Sequence, residues 1–102
     1  MGSVMIVGSL ILRLHLPTSE SLKAKRQVVK SLTARFANQF GVAAAEVGEL
    51  DLWQIAELGI ATVANEQSQV ERVLDSVVRY VEETRPDLEI LDTYREIITV
   101  ER

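Results

Sequence analysis

The sequence predicts a small α+β domain built as strand–helix–strand–strand–helix–strand. Three observations carry this reading. Val4–Leu16 has apolar side chains at nearly every even position, which is the period of a strand with one dry face. Two later segments place apolar residues three and four apart, which is the period of a helix with one buried stripe. Between them lies an extended run broken by Gly48–Asp51, the composition of a hairpin turn.

The elements follow in order. Val4–Leu16 is the first strand, stopped by Pro17, with Pro17–Ser21 as the connection. It is too short to span a bilayer, and Arg13 and His15 follow where a signal peptide would need small residues, so neither a membrane segment nor a leader is expected from it. Met5 is as acceptable a native start as Met1, with residues 1–4 then an added remnant. Ser21–Phe40 is the first helix: Leu22, Val29, Leu32, Phe36 and Phe40 share one stripe, Ser21 is a natural N-cap, and Gly41 is the residue expected just past the end. Val42–Val47 and Gln54–Ala64 are the two strands of the hairpin. Asn65 is the expected cap of a second helix, Glu66–Thr84, whose stripe is Val70, Val73, Leu74, Val77, Val78 and Val81 and which Pro86 ends. Leu88–Val100 is the last strand.

Two strand–helix–strand halves imply a ferredoxin-like βαββαβ sandwich: a four-stranded antiparallel sheet in spatial order 4-1-3-2, with both helices on one face. At 102 residues a single domain covering the whole chain is expected. The other sheet face is left open. On the first strand that face carries Met5, Val7, Ser9, Ile11, Arg13 and His15, half of them apolar. Val7, Ile11 and Arg13 are therefore candidates for an interface, and a homo-oligomer, most simply a dimer, is expected there.

Composition removes whole classes of function. The chain has no cysteine and one histidine, His15, so disulfides, thiolate sites and imidazole-rich metal sites are excluded. That fits a reducing, cytoplasmic setting. Glu46, Glu49 and Asp51 gather around the hairpin but read as a solvated turn, and neither a metal nor another cofactor is expected. No nucleophile–base pair or paired-carboxylate set can be assembled, so no catalytic residue is assigned and a binding protein is favoured over an enzyme. The predicted central strands carry no aromatic, which argues against stacking bases on the sheet.

Charge is divided along the chain. Residues 1–45 hold six basic groups and one acid, while residues 46–102 hold five basic groups and fourteen acids. Lys23, Lys25, Arg26 and Lys30 cluster at the start of the first helix. Lys23, Arg26 and Lys30 line one flank, Arg35 lies well round from them, and Lys25 falls at an angle on the buried side beside Leu22 and Val29. Two readings stand: a solvated helix face with the Lys25 stem packed on the sheet edge, or a surface for an anion, RNA or an acidic partner. The second has a physical motive, because cations near a helix N-terminus oppose its dipole at roughly 0.3–1 kcal/mol each. Trp53, the lone tryptophan, is expected to anchor a core or interface, or to face a ligand in a cleft.

Ser21-Leu22-Lys23-Ala24-Lys25-Arg26-Gln27-Val28-Val29-Lys30, then Asp51-Leu52-Trp53-Gln54, then Val70-Glu71-Arg72-Val73-Leu74-Asp75 resemble the bacterial YlxP-like family of unknown function. The resemblance runs from Met5 to about Ile98 and departs at Ala24, where the family often has glutamate. It implies a ferredoxin-like fold. Members are often encoded beside genes for transcription termination, translation initiation and ribosome maturation factors, which implies by association a role near RNA or the ribosome.

Overall fold

A computed structural model describes residues 2–102; Met1, one of the two candidate starts, lies outside the described residues. The first strand, β1 (Val4–His15), alternates as its sequence requires: Ile6, Leu10, Leu12 and Leu14 are buried, while Val7, Ser9 and Arg13 point the other way. Gly8 interrupts the leucines for a reason of space, since a Cβ there would run into Val70 Cγ1, with Leu74 Cδ1 at 3.1 Å. The second helix therefore lies closest to the sheet where the strand has no side chain.

The first helix, α1 (Leu22–Phe40), starts and stops where its end residues dictate. Ser21 Oγ accepts a hydrogen bond from the Ala24 amide at 3.0 Å, and Gly41 closes the helix in the left-handed conformation with φ 65°. After β2 (Ala43–Gly48), the turn and β3 (Ile55–Ala64), the second helix α2 spans Gln67–Thr84. Asn65 is not its cap. Glu66 occupies that position in an extended conformation, and its side chain makes no capping bond. The final strand, β4, is Glu89–Glu101.

The sheet order is β2-β3-β1-β4, all neighbours antiparallel, which is the ferredoxin-like arrangement with the first and third strands central. One continuous core lies between the sheet and the helices. Val29, Leu32 and Phe36 of α1 and Val70, Leu74, Val77 and Val81 of α2 meet the even-numbered side chains of β1 together with Ala56, Leu58 and Ile60. Each fully buried Leu or Phe contributes about 1.5–3 kcal/mol relative to exposure. Tyr80 ties the helices together, meeting Phe36 and Phe40 edge-on at 6.1 and 5.8 Å.

β4 is different. It is bonded to β1 alone, most of its residues are exposed, and Ile90 and Ile97 are its only side chains packed against the core. Arg95 on its helix-side face reaches Asp75 of α2 at 2.9 Å. The β1–β4 ladder runs on past the end of β3, closing with paired backbone bonds between Ser3 and Arg102. The molecule is accordingly elongated, 54 × 25 × 22 Å.

Candidate functional site

Three features could carry a function: the start of α1, the loop that joins β2 to β3, and the open face of the sheet. The α1 start and the loop are one assembly. Lys25 is 0 % exposed, and its Nζ lies 2.7 Å from the Glu49 carbonyl oxygen, 3.1 Å from the Ile55 carbonyl oxygen and 3.1 Å from Glu46 Oε2. Two of the ammonium's three protons go to the carbonyls, and the buried Glu46 oxygen balances its charge without hydrogen-bond geometry. Gln54 works from the other side, donating from Nε2 to the Pro17 and Ser19 carbonyls at 3.3 and 3.2 Å. The Leu16 amide completes the seam, donating to the Gln54 carbonyl at 2.8 Å. The loop residues 49–54, mostly exposed, are thus held by the helix start and the β1–α1 connection.

This overturns one expectation. Lys25 is not a surface contact beside Lys23, Arg26 and Lys30: its amine is turned inward and no partner can reach it. The reason is its helical angle beside Leu22 and Val29, together with acceptors on β2 and its loop that lie too far along the chain to be read locally. Glu46 is likewise not part of an open acidic turn, since it faces Lys25, and Glu49 is drawn to Arg13. Among the described residues no group of acids and histidines is arranged to hold a metal ion.

Lys23, Arg26 and Lys30 remain exposed on one flank of α1, and Arg35 is exposed further round. Among the described residues none of these four takes part in an ion pair, although Arg13, Arg85 and Arg95 all do. The helix has no carboxylate anywhere along its 19 residues. Trp53 stands at the same end of the molecule. It lies before β3 rather than in it and is 55 % exposed, with Leu50 and Leu52 exposed beside it, so it anchors no core.

The open face is mainly apolar. Val7 is half-buried, and Met5, Ile11, Val63, Tyr94, Ile98 and Val100 are exposed on it. At its polar end the Arg13 guanidinium sits 3.0 Å from Glu57 Oε2 and 3.0 Å from Glu49 Oε2, and these bonds, Glu57 first, hold its pKa above the ordinary value. His15 Nδ1 lies 3.7 Å from Glu89 Oε1. A hollow of about 510 Å³ crosses the middle of the face, with Ala43, Ala45, Gly59 and Ala61 beneath it and Tyr94 rising at one side. Trp53 does not line it, so the cleft expected near that residue is elsewhere. Sequence reading missed both Tyr94 and the hollow, because which residues share a row depends on the register between strands; the signal present was the run of small residues Ala43-Ala44-Ala45 opposite Gly59 and Ala61.

No helix among the described residues is long and apolar enough to cross a membrane. Among solved structures, an amidase of the hydantoinase/carbamoylase family from Burkholderia phymatum matches 97 % of this chain with 28 % of its own length, at 16 % identity and a TM-score of 0.51, which is a likeness of fold. The de novo designed protein Foldit4 matches 94 % of this chain at 11 % identity, with 96 % of its own length and a TM-score of 0.49. The uncharacterized protein YlxP of Bacillus subtilis (strain 168) is 38 % identical over 69 residues, 68 % of this chain and 74 % of that protein. The sequence profile described as "Protein of unknown function (DUF503)" matches residues 7–95, which contain both the Lys25 and the Gln54 side of the seam. The chain belongs to this YlxP-like bacterial family of unknown function.

Proposed function

We propose that the protein is a cytoplasmic, non-enzymatic binding protein whose partner is RNA, alone or as part of a ribosomal component, engaged through Lys23, Arg26 and Lys30 on α1. The observation that carries this reading is a helix with five cations and no carboxylate on a chain whose net charge is −4. Three of those cations share one exposed flank and are left unpaired, although acids outnumber bases elsewhere in the molecule. Without an outside anion Lys23 and Arg26, near the helix start, also oppose the positive end of the helix dipole. A polyanion satisfies both conditions, and its phosphates gain from release of their own counterions. The geometry of the seam supports the same reading, because Lys25 and Gln54 hold the loop bearing Trp53 against the helix start. An exposed aromatic on a loop tied to the start of a cationic helix offers the two contacts that single-stranded RNA uses, base on ring and phosphate on amine.

Trp53 is the lone tryptophan, so its fluorescence reports directly on this end of the molecule. Titration with single-stranded RNA should quench it, with an affinity that falls with salt at a log–log slope of about −2 for three phosphate contacts. The triple reversal Lys23→Glu, Arg26→Glu, Lys30→Glu should abolish binding while leaving the fold intact. Binding that survives that variant, or that shows no salt dependence, would overturn the reading.

A further inference from the structure

The open face of the sheet has a relief that points to its own copy. Strand register places Ala45, Gly59, Ile11 and Tyr94 in one row across the four strands. The next row is Ala43, Ala61, Ser9 and Glu96. In the first row Ala45 and Gly59 are small and Ile11 and Tyr94 are large; in the second Ala43, Ala61 and Ser9 are small and only Glu96 is large, so the face is hollow over β2 and β3 and raised at β4. Gly59 shapes the edge of the hollow: Val47 Cγ1 lies 2.7 Å from where a Cβ would stand, so the valine leans over the glycine and borders the hollow. Tyr94, 60 % exposed, is the highest point of the raised half.

We propose that two copies of this chain pack open face to open face, about a two-fold axis running along the strands between β1 and β3, with Tyr94 of each copy seated in the other's hollow. The axis follows from the sheet order. Turning β2-β3-β1-β4 over about that line lays β4 of one copy on β2 of the other, and positions along the strand are unchanged. Tyr94 therefore meets Ala45 of the second copy, large against small, and the same operation repeats the contact on the far side. Packed sheets rotate by about 30°, which moves Tyr94 only ~4 Å along the facing strand and leaves it above the hollow between Ala43 and Val47.

Charge and area agree. Arg13 and Glu57 are direct neighbours either side of the axis, so each Arg13 comes to lie over Glu57 of the other copy. The apolar end, with Val7, Val63 and Ile98, lies against its own counterpart. Four strands at ~4.8 Å spacing, from ~20 Å long for β2 to ~44 Å for β4 and averaging ~35 Å, give a face of roughly 700 Å². A specific interface covers about 800 Å² on each partner, so the face is the size a stable dimer needs. Helices α1 lie on the outside of such a dimer, and their basic flanks stay free.

Sedimentation and chemical cross-linking test this on the full chain. The wild type should sediment as a dimer at tens of micromolar, and Tyr94→Lys as a monomer with an unchanged far-ultraviolet circular dichroism spectrum. The absence of native cysteine also allows a geometric test, run at about 100 µM chain because the Tyr94 contact is itself replaced. In the double variant Ala45→Cys, Tyr94→Cys, a short bis-maleimide should join two chains. Tyr94→Cys alone should not be joined, because the axis puts its two copies at opposite edges, ~14 Å apart across the sheet. A wild-type monomer at about 100 µM, a dimer that persists in Tyr94→Lys, or cross-linking of Tyr94→Cys alone as efficient as that of the double variant would each overturn the proposal.

Discussion

Lys25 shows how one residue can serve two strands and a helix together. Burying an ammonium is costly unless it is hydrogen-bonded and its charge is paired; here two carbonyls accept from it, and the Glu46 carboxylate lies 3.1 Å away as its counter-charge, outside hydrogen-bond geometry. Replacing it by methionine keeps the stem's volume but leaves Glu46 without its counter-charge and takes a donor from the Ile55 and Glu49 carbonyls, the latter keeping the Leu52 amide. Lys25→Met should therefore cost about 3 kcal/mol, at the lower end for a broken buried pair because Glu46 keeps 17 % of its side chain in water. The urea midpoint should fall by about 2 M at a typical slope of ~1.5 kcal/mol per molar. Adding Glu46→Leu should restore part of the loss, since it removes the unpaired carboxylate but returns no donor to the carbonyls. At this scale the sequence was only half legible. The buried angle of Lys25 could be read from spacing, but the destination of its amine could not, because Glu49 and Ile55 lie 24 and 30 residues away. Trp53 misled for a related reason: its size argues for burial, whereas the seam fixes its loop without needing the ring.

At the scale of elements, contact between α2 and the sheet depends on a missing side chain. Gly8 allows Val70 and Leu74 to approach β1, and Gly8→Ala should lift the helix and cost about 1–3 kcal/mol through overpacking. Thermal unfolding of that variant measures it. A loss under 0.5 kcal/mol would show that Val70 and Leu74 can move aside, and that the glycine is not what seats the helix. Elements were read well where the chain carries its own punctuation, as in Ser21 and Gly41 around α1 and Pro86 after α2. They were read less well where it does not. Asn65 has the right chemistry for a cap but sits one residue too early, and Glu66 begins α2 without a side-chain bond. The irregularities in register at Arg13/Leu14 and at Glu46/Gly48 also left no local mark, so the rows of the open face could not be assembled from alternation alone.

Taken as a whole, the molecule divides its chemistry by surface: cations outside on α1, apolar relief on the bare sheet, and acids over most of the remainder. If the bare face is shared by two copies, folding and association are linked, and stability depends on protein concentration. The wild-type melting temperature should rise measurably between about 1 and 100 µM chain, and that of Tyr94→Lys should stay constant. A wild-type value that does not move would count against the shared face on thermodynamic grounds, independently of any cross-link.

The position of β4 bears on how the protein is made. β1 is a central strand, yet one of its two neighbours follows every other element, and Val4 pairs with Glu101 across nearly the whole sequence. While the chain is being synthesised, β1, β2, β3 and both helices can assemble before β4 exists. Through that interval β1 presents an unbonded edge lined with the residues that will later face Tyr94 and Ile98. Such an edge is open to pairing with another nascent chain, and it closes only through the contact of greatest sequence separation, the slowest kind to form.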